Sequence, residues 1–337
     1  MLDSLLVENF KIFKKLEIPK LGRVNLFVGQ NNSGKTCLLE AVQSYATGFD
    51  NIFDLITNRE QNDEHINKYK SPFRFLFYGY KLPRENEKIC IGNLHRQYDR
   101  MVFFPIYSSH DINYIESYCK KIHSISIKLK AQPSFKKYQE AHLQYISEPY
   151  INNQYVLASL SNQNSLNSIL WDKVNLTPDK YKVIDCLKLI EPKILDFGFV
   201  DDEQGNRIPK VLIEDMKESI PLKTLGDGMT RLLNIILAMV NAKGGILLID
   251  EIENGLHWSV HSKLWELVFT MAEKLDVQVF ATTHSMDCVK GFNKAWAENE
   301  ADGMFYRLQI KKDGDIKAIQ YNQETLSDSI ETEVEFR

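Results

Sequence analysis

The sequence predicts an α/β protein whose central sheet is mostly parallel, with antiparallel strands at its N-terminus and a helical insertion in its middle. Three observations lead to this fold class. Strands alternate with helices over the last third of the chain, an order that builds parallel sheets. A glycine-rich loop at residues 29–36 joins a strand to a helix, and another apolar strand ends in two carboxylates, Asp250 and Glu251. Both features fall at strand ends of the kind where open α/β sheets bind ligands.

The N-terminal strands come first in the chain. Leu5 and Val7 alternate with polar neighbours, and residues 16–18 repeat the alternation, as half-buried strands do. The next run, VNLFV at 24–28, is typical of a strand buried on both faces. Helical spacing of apolar residues over 37–47 then predicts a strand, a loop and a helix in succession.

The second half of the chain is predicted as alternating helices and strands. Apolar spacing predicts helices over 180–190, 229–242 and 257–274, and strands over 245–249 and 277–281. ILDFGFV and RIPKVLIE form a strand pair across a polar turn, and one more helix follows residue 291. A last pair, MFYRLQI and IKAIQYN, turns at an Asp-Gly dipeptide, which is a hairpin signal.

The middle of the chain is more polar and less regular. It is rich in Asn, Gln, Lys and Tyr, with helix-like pieces around 112–130 and 134–146. We therefore predict a discontinuous core of residues 1–50 and 180–337, and a mainly helical insertion or arm over 51–179.

Composition excludes several classes of protein. Of the 337 residues, 44% are hydrophobic and 26% are charged, which is typical of a globular chain. The net charge of -4 gives no overall attraction to nucleic acid or anionic membranes. Five scattered cysteines without a CxxC pair argue against a disulfide framework and a thiolate zinc site. Because no apolar run approaches the roughly 20 residues of a membrane span and no signal-peptide pattern is present, we expect a cytoplasmic protein without membrane contacts.

The glycine-rich loop is the strongest functional signal. Residues 29–36, GQNNSGKT, match the phosphate-loop pattern GxxxxGK[ST] at every position. Its glycines let backbone N–H groups turn toward an anion, and the helix that follows adds a favourable dipole. Lys35 would contact the outer phosphates and Thr36 would ligate magnesium. The predicted nucleotide-binding residues are Gly29, Asn31, Asn32, Ser33, Gly34, Lys35, Thr36 and Cys37.

The acidic strand end complements this loop. Four apolar residues, 246–249, precede Asp250 and Glu251, which is the Walker B arrangement. Asp250 would hold the magnesium ion through water. Glu251 would polarise the attacking water, because phosphoryl transfer depends mainly on positioning and charge neutralisation.

Further motifs follow in a fixed order. Residues 225–229 (LGDGM) precede a helix, the Asp250–Glu251 pair comes next, and residues 281–285 (ATTHS) follow the next strand. In this order they resemble the ABC-type P-loop ATPase head of the RecF, SMC and OLD (overcoming lysogenization defect) group. In particular, the chain looks like the short standalone prokaryotic ATPases that are often encoded beside a nuclease-like partner, as in several antiphage defence systems. The resemblance covers residues 1–48 and 180–290.

The resemblance implies that residues 225–229 are the signature motif, which in the family closes over the γ-phosphate bound by a second protomer. It therefore implies an ATP-dependent homodimer or higher homo-oligomer, with Gly226, Asp227 and Gly228 at the nucleotide. The family's LSGGQ would have Ser at position 226 and Gly at position 227, so the acidic Asp227 departs from the pattern. Arg231, one turn into the helix, could compensate for this charge or lie on the helix surface.

The resemblance also implies a switch histidine, His284, that hydrogen-bonds the γ-phosphate and orients water. Residues 254–257 (NGLH) occupy the place of the D-loop at the dimer seam. The catalytic residues would then be Lys35, Glu251 and His284. Because the chain has no NKxD motif for reading guanine, ATP is expected rather than GTP, with Mg2+ as its ion.

A basic stretch interrupts the otherwise acidic chain. The segment Lys120–Lys137 contains six lysines and no Asp or Glu, with Tyr118 and Tyr138 on either side. It could follow a nucleic-acid backbone, but it could equally be a solvated helix face or a docking site for an acidic partner. Only residues 291–337 follow the predicted ATPase core, too few for the TOPRIM nuclease domain of larger OLD proteins. We therefore expect no nuclease activity in the chain itself.

Together, the motifs and the resemblance predict an ATP-binding and ATP-hydrolysing enzyme whose nucleotide-dependent assembly controls a partner. The resemblance points to a separately encoded nuclease-type effector in antiphage defence, with turnover that is slow or stimulated by the partner. Two alternatives stay open. One is a RecF-like DNA-binding repair ATPase, and the other is a nucleotide-gated scaffold with little turnover.

Overall fold

Three β-sheets organise the part of the chain that the computed structural model describes, which is residues 1–48, 72–84, 86–108, 111–119, 151–158, 163–226, 228–299, 303–332 and 336. The strands are β1 (Leu5–Phe10), β2 (Phe13–Ile18), β3 (Val24–Gly29), β4 (Ile89–Gly92), β5 (Arg100–Ser108), β6 (Asp111–Cys119), β7 (Asn153–Val156), β8 (Ile194–Asp201), β9 (Arg207–Ile213), β10 (Ile220–Pro221), β11 (Ile246–Ile249), β12 (Gln278–Thr282), β13 (Gly303–Ile310) and β14 (Ile316–Tyr321). The helices are α1 (Lys35–Thr47), α2 (Gln163–Asn175), α3 (Asp179–Ile190), α4 (Gly228–Asn241), α5 (His261–Lys274), α6 (Met286–Glu298) and α7 (Gln323–Glu331). Short 3-10 helices cover Pro72–Leu76, Tyr78–Tyr80, Gln97–Asp99, Leu222–Leu225 and Trp258–Val260.

The central sheet has the strand order β14-β13-β3-β12-β11-β7. All of its neighbouring strands pair in parallel except β13 with β14, which form an antiparallel hairpin. The predicted mostly parallel sheet is therefore confirmed. Because the strands are parallel, the carboxyl ends of β3, β12 and β11 meet at one edge, next to one another.

The other two sheets are antiparallel. One has the order β2-β1-β4-β5-β6, and the other has the order β10-β9-β8. The predicted antiparallel N-terminal strands are confirmed, and β1 and β2 pair directly, with Val7 opposite Leu16.

The core lies in two hydrophobic clusters on opposite faces of the central sheet. Along β11, Leu247 and Ile249 belong to the cluster that contains the buried residues of helices α2 to α6, whereas Ile246 and Leu248 belong to the cluster with α1 and the N-terminal sheet. This alternation follows from the two-residue period of a strand. Both faces of β11 and β3 are therefore buried, as their apolar runs predict.

The described residues of the 51–179 segment correct the prediction of a mainly helical insertion. Strands β4, β5 and β6 extend the N-terminal sheet, β7 forms an edge of the central sheet, and α2 contributes Trp171 to the core. Ile112 and Ile115 have helical spacing, yet they lie on β6, where Ile115 pairs with Pro105 of β5. Pairing with a distant strand overrides the local spacing. The helix-like piece at 134–146 and the basic stretch Lys120–Lys137 lie outside the described residues.

The C-terminal tail adds an element that the sequence reasoning did not predict. Helix α7 follows the last hairpin, and the side chain of Asn322 caps it by accepting from the backbone N–H of Thr325 at 2.7 Å. Leu326 is buried against the core, with Ile330 beside it. An Asn cap followed by apolar residues four positions apart is the signal that could have revealed this helix. Within the described ranges, no helix has the length and apolar character needed to cross a membrane.

Candidate functional site

The phosphate loop lies at the carboxyl end of β3 and leads into α1. Gly29 and Gly34 have φ angles of 150° and 96°. A Cβ atom at Gly29 would lie 2.5 Å from the carbonyl oxygen of Leu308, and one at Gly34 would lie 2.7 Å from Cδ1 of Ile12. Both positions therefore require glycine for their backbone conformation and for the close approach of their neighbours.

Lys35 is folded back onto its own loop. Its side chain is buried, and its ammonium group donates to the carbonyl oxygens of Gly29 and Gln30 at 2.9 and 3.0 Å. Burial lowers the pKa of Lys35 to about 8, although the nearby carboxylates of Asp250 and Glu251 oppose the shift. The ammonium group is thus held at the loop by weak neutral acceptors that an anion could replace.

A second buried group in the loop also fits a phosphate ligand. The hydroxyl oxygen of Ser33 is buried and has no hydrogen-bond partner among the described residues. Asn31 and Asn32 are exposed, whereas Cys37 packs in the core beneath the loop. The loop therefore fits the phosphates of a nucleotide. It combines two glycines whose neighbours leave no space for a side chain, the Ser33 hydroxyl and the Lys35 ammonium group.

Asp250 joins the acidic strand end to the phosphate loop. One carboxylate oxygen accepts from Thr36 Oγ1 at 2.9 Å, and the other accepts from Thr282 Oγ1 at 2.6 Å. The hydroxyl of Thr282 also accepts from the backbone N–H of Glu251 at 2.8 Å. The structure therefore brings together a hydroxyl and a carboxylate, oxygen ligands of the kind that Mg2+ prefers.

Thr282 is a functional candidate that the sequence reasoning missed. In the parallel register of β11 and β12, Ile249 lies opposite Ala281, so the next residues, Asp250 and Thr282, face each other. The signal was present in ATTHS, whose first threonine directly follows the strand predicted over 277–281.

His284 lies within reach of Glu251. Its Nε2 atom is 3.9 Å from Glu251 Oε1, and Glu251 has a left-handed φ of 48°, which is a rare conformation for a residue other than glycine. Burial and the Lys35 ammonium lower the pKa of His284 below its usual value of 6.5. Its imidazole is therefore neutral at pH 7 and can both donate and accept a hydrogen bond.

A cavity of about 400 Å³ lies beside His284 and Gly29. Its lining combines the apolar residues Met286, Val289 and Phe336 with the polar residues Thr283, Ser285 and Lys290.

The signature segment lies against the D-loop segment of the same chain. A Cβ atom at Gly228 would lie 3.1 Å from both the Gly255 carbonyl oxygen and Leu256 Cδ2. Gly226 is exposed, with a φ of 121°, and Asp227 lies outside the described residues. Gly228 at the start of α4 therefore packs against Gly255 and Leu256 of the D-loop segment.

Arg231 does not lie on the helix surface, so the expectation of a surface position was wrong. Its guanidinium group is buried, donates to the carbonyl oxygens of Asp250 and Glu251 at 2.8 and 3.2 Å, and also donates to that of Leu157. Burial lowers the pKa of Arg231 from its usual value. The sequence did not reveal this burial because the inward direction of one helical side chain depends on tertiary packing.

The fold places this site in a known class. The chain is similar to an SMC head solved with the C-winged helix domain of ScpA, with a TM-score of 0.55, 13% identity and coverage of 97% of this chain and 99% of that one. The SMC head domain from Thermotoga maritima gives a TM-score of 0.52 at 11% identity, over 95% and 99% of the two chains. With its phosphate loop and acidic strand end, the chain is an ABC-type P-loop ATPase head of the RecF and SMC group.

The family is narrower than this class. Residues 24–287 match the model described as "AAA domain, putative AbiEii toxin, Type IV TA system", and the chain belongs to this family. A Helicobacter pylori protein named "ATP/GTP phosphatase" is 23% identical in an alignment 346 residues long that covers 89% of this chain and 90% of that protein. The chain is an ATP-hydrolysing enzyme.

RecF proteins are also similar to parts of the chain. The DNA replication and repair protein RecF of Oenococcus oeni is 22% identical over 217 residues, which cover 58% of this chain and 51% of that protein. RecF of Lactobacillus acidophilus is 51% identical over 41 residues, 12% of this chain and 11% of that protein. The chain thus spans about half of the first RecF and a short part of the second.

Proposed function

We propose that this ATPase assembles as a homodimer or higher homo-oligomer when it binds MgATP, and that the assembled state controls a separately encoded nuclease-type effector in antiphage defence, in the cytoplasm. The observation that carries this proposal is the close approach of Gly228, the first residue of α4, to Gly255 and Leu256 of the D-loop segment. Gly226, just before the helix, is exposed. It is thus available to the nucleotide of a second copy, at the positive end of a helix.

The site supports specific roles in hydrolysis. Lys35 exchanges its loop carbonyls for the β- and γ-phosphates. Thr36 and Asp250 would hold a magnesium ion, which would supply positive charge against the phosphates. Glu251 polarises the attacking water, and the neutral His284 donates to the γ-phosphate. The hydrogen bonds of Asp250 to Thr36 and Thr282 fix the carboxylate before the ion binds, so little reorganisation is needed at the reaction step.

The assembly part of the proposal is tested with Glu251→Gln, which we expect to bind ATP without hydrolysing it. Its mass is measured by light scattering with and without MgATP, and Lys35→Ala in the same background is the matched control without nucleotide binding. A mass that at least doubles in Glu251→Gln alone supports the proposal. An unchanged mass with ATP demonstrably bound contradicts it.

The effector part needs a separate experiment. The proteins encoded by the genes next to this one are purified and each is mixed with Glu251→Gln, and DNA cleavage is measured with and without MgATP. Cleavage or complex formation that depends on MgATP supports the proposal. If a nuclease among these proteins is active alone and MgATP causes neither cleavage nor complex formation, the proposal is contradicted.

A RecF-like repair ATPase is the second candidate, favoured by the similarity to RecF over 58% of the chain. This function requires ATP-dependent binding to DNA. Neutralising the lysines of Lys120–Lys137 should then weaken DNA binding and reduce its dependence on salt. Undiminished DNA binding in that variant, or none in the natural chain, contradicts this candidate.

A further inference from the structure

A third acidic residue follows the Walker B pair, and none of the roles proposed above uses it. Glu253 lies two residues after Glu251, in the turn that leads to the D-loop segment. Its Oε1 atom accepts a hydrogen bond from the backbone N–H of His284 at 2.8 Å. This bond spans 31 residues of sequence and joins the ends of β11 and β12 beyond their last strand pair.

The backbone around Glu253 is fixed by its own hydrogen bonds. The N–H of Ile252 donates to the carbonyl oxygen of Thr282 at 3.0 Å, and the carbonyl oxygen of Glu253 accepts from the N–H of Leu256 at 2.9 Å. The carboxylate therefore extends from a braced turn, and its reach to His284 depends on the full length of a glutamate side chain.

The second carboxylate oxygen of Glu253 has no partner. Its Oε2 atom is buried and makes no hydrogen bond within the described residues. A buried acceptor without a partner costs free energy. Two buried cationic groups of the site, Lys35 and Arg231, interact with Glu253 across space. They offset the cost of the charge without satisfying the oxygen.

We infer that Glu253 is a positioning residue for ATP hydrolysis: it holds the backbone at His284 so that the imidazole stays beside Glu251. The inference rests on the proposed role of His284. Nε2 of His284 lies 3.9 Å from Glu251 Oε1. The imidazole is carried by the same residue whose backbone N–H binds Glu253, so a shift of that backbone also shifts the ring. A shift of the ring by about 1 Å is enough to lower a rate by roughly 100-fold.

Two conservative variants separate the hydrogen bond from the charge. Glu253→Gln keeps the side-chain length and an acceptor oxygen but removes the charge. Glu253→Asp keeps the charge but is shorter by one methylene, so it does not reach the N–H of His284. We expect Glu253→Gln to retain kcat within about threefold, and Glu253→Asp to lose at least about tenfold in kcat, with an ATP Kd unchanged within about twofold. The reverse order, with Asp active and Gln inactive, overturns the inference.

A double-mutant cycle with His284→Gln identifies the route of the effect. If Glu253 acts through His284, Glu253→Asp should lower kcat much less in the His284→Gln background than in the natural chain. An equal loss in both backgrounds means that Glu253 acts elsewhere and overturns the inference. Thermal unfolding of each variant checks that it is folded, and single-turnover measurements extend the range of rates.

The same series separates failure of this inference from failure of the proposed role of His284. If His284→Gln hydrolyses ATP at the natural rate, the role of His284 is wrong. If His284→Gln is impaired and Glu253→Asp is not, only the positioning by Glu253 is wrong. Neither result depends on whether the chain assembles with ATP.

Discussion

Replacing Arg231 with methionine should destabilise the fold, because the guanidinium group ties the ends of two parallel strands to α4. It donates to the carbonyl oxygens of Asp250 and Glu251 after β11, and to that of Leu157 after β7. Methionine fills a similar volume but leaves these carbonyl oxygens without this donor. The change therefore removes one partner of a buried charged network and keeps the rest.

The expected loss can be estimated from these contacts. An acceptor left unsatisfied in the interior costs about 1–3 kcal/mol; the contact to the Asp250 carbonyl is buried, whereas those to Leu157 and Glu251 are partly buried and cost less. The guanidinium no longer has to be desolvated, which returns part of the loss. We expect the free energy of unfolding to fall by about 2–4 kcal/mol, the loss from one buried and two partly buried carbonyl acceptors. This is a large fraction of the roughly 5–15 kcal/mol that stabilises a folded protein.

The assay is urea unfolding followed by tryptophan fluorescence, with a matched control. Arg207 lies at the surface, where it pairs with Asp172 and both side chains are more than a third exposed. Arg207→Met should therefore cost no more than about 1 kcal/mol. Arg231→Lys should fall between the two, because an ammonium group keeps the charge but lacks the planar fork. Equal unfolding midpoints for Arg231→Met and Arg207→Met would refute the reasoning.

Two further predictions concern the nucleotide. The pKa of Lys35 is lowered to about 8, so the free enzyme loses the positive charge of Lys35 as the pH rises through 8. ATP affinity, measured with a fluorescent analogue, should therefore weaken between pH 7 and 9. An affinity that does not change over this range would contradict the proposed contact between Lys35 and phosphate. Thr282→Val removes the hydroxyl that donates to Asp250 and accepts from the N–H of Glu251. We expect kcat to fall at least about tenfold and the free energy of unfolding to fall by about 1–3 kcal/mol. Undiminished turnover would show that Asp250 is positioned without Thr282.

Much of the fold follows from local patterns in the sequence. The VNLFV run, the phosphate loop and the 246–251 segment combine strong periodicity with special residues, and the structure places the corresponding strands next to one another in a parallel sheet. The sequence also predicts which residues surround the loop, because strand ends in a parallel sheet share one edge. The proximity of Thr36 to Asp250 follows from that order.

The parts that local patterns missed depend on contacts between distant residues. Strands β5 and β6 look ambiguous alone, and their pairing with each other and with β4 decides their structure. The burial of Arg231 depends on carbonyl groups that β7 and β11 bring to α4. The bond from Glu253 to His284 joins two turns whose proximity appears only once the sheet is assembled. Sequence spacing carries no information about such side-chain directions.

The most direct test of the central claim is the identity of the nucleotide that remains on the enzyme. The natural chain and Glu251→Gln are each incubated with labelled MgATP and separated from free nucleotide. The reaction is then quenched, and the bound label is separated into ATP and ADP. We expect ADP on the natural chain and intact ATP, at equal or higher occupancy, on Glu251→Gln. Conversion to ADP on Glu251→Gln at the natural rate would contradict the assignment of the water-polarising carboxylate and the mechanism built on it.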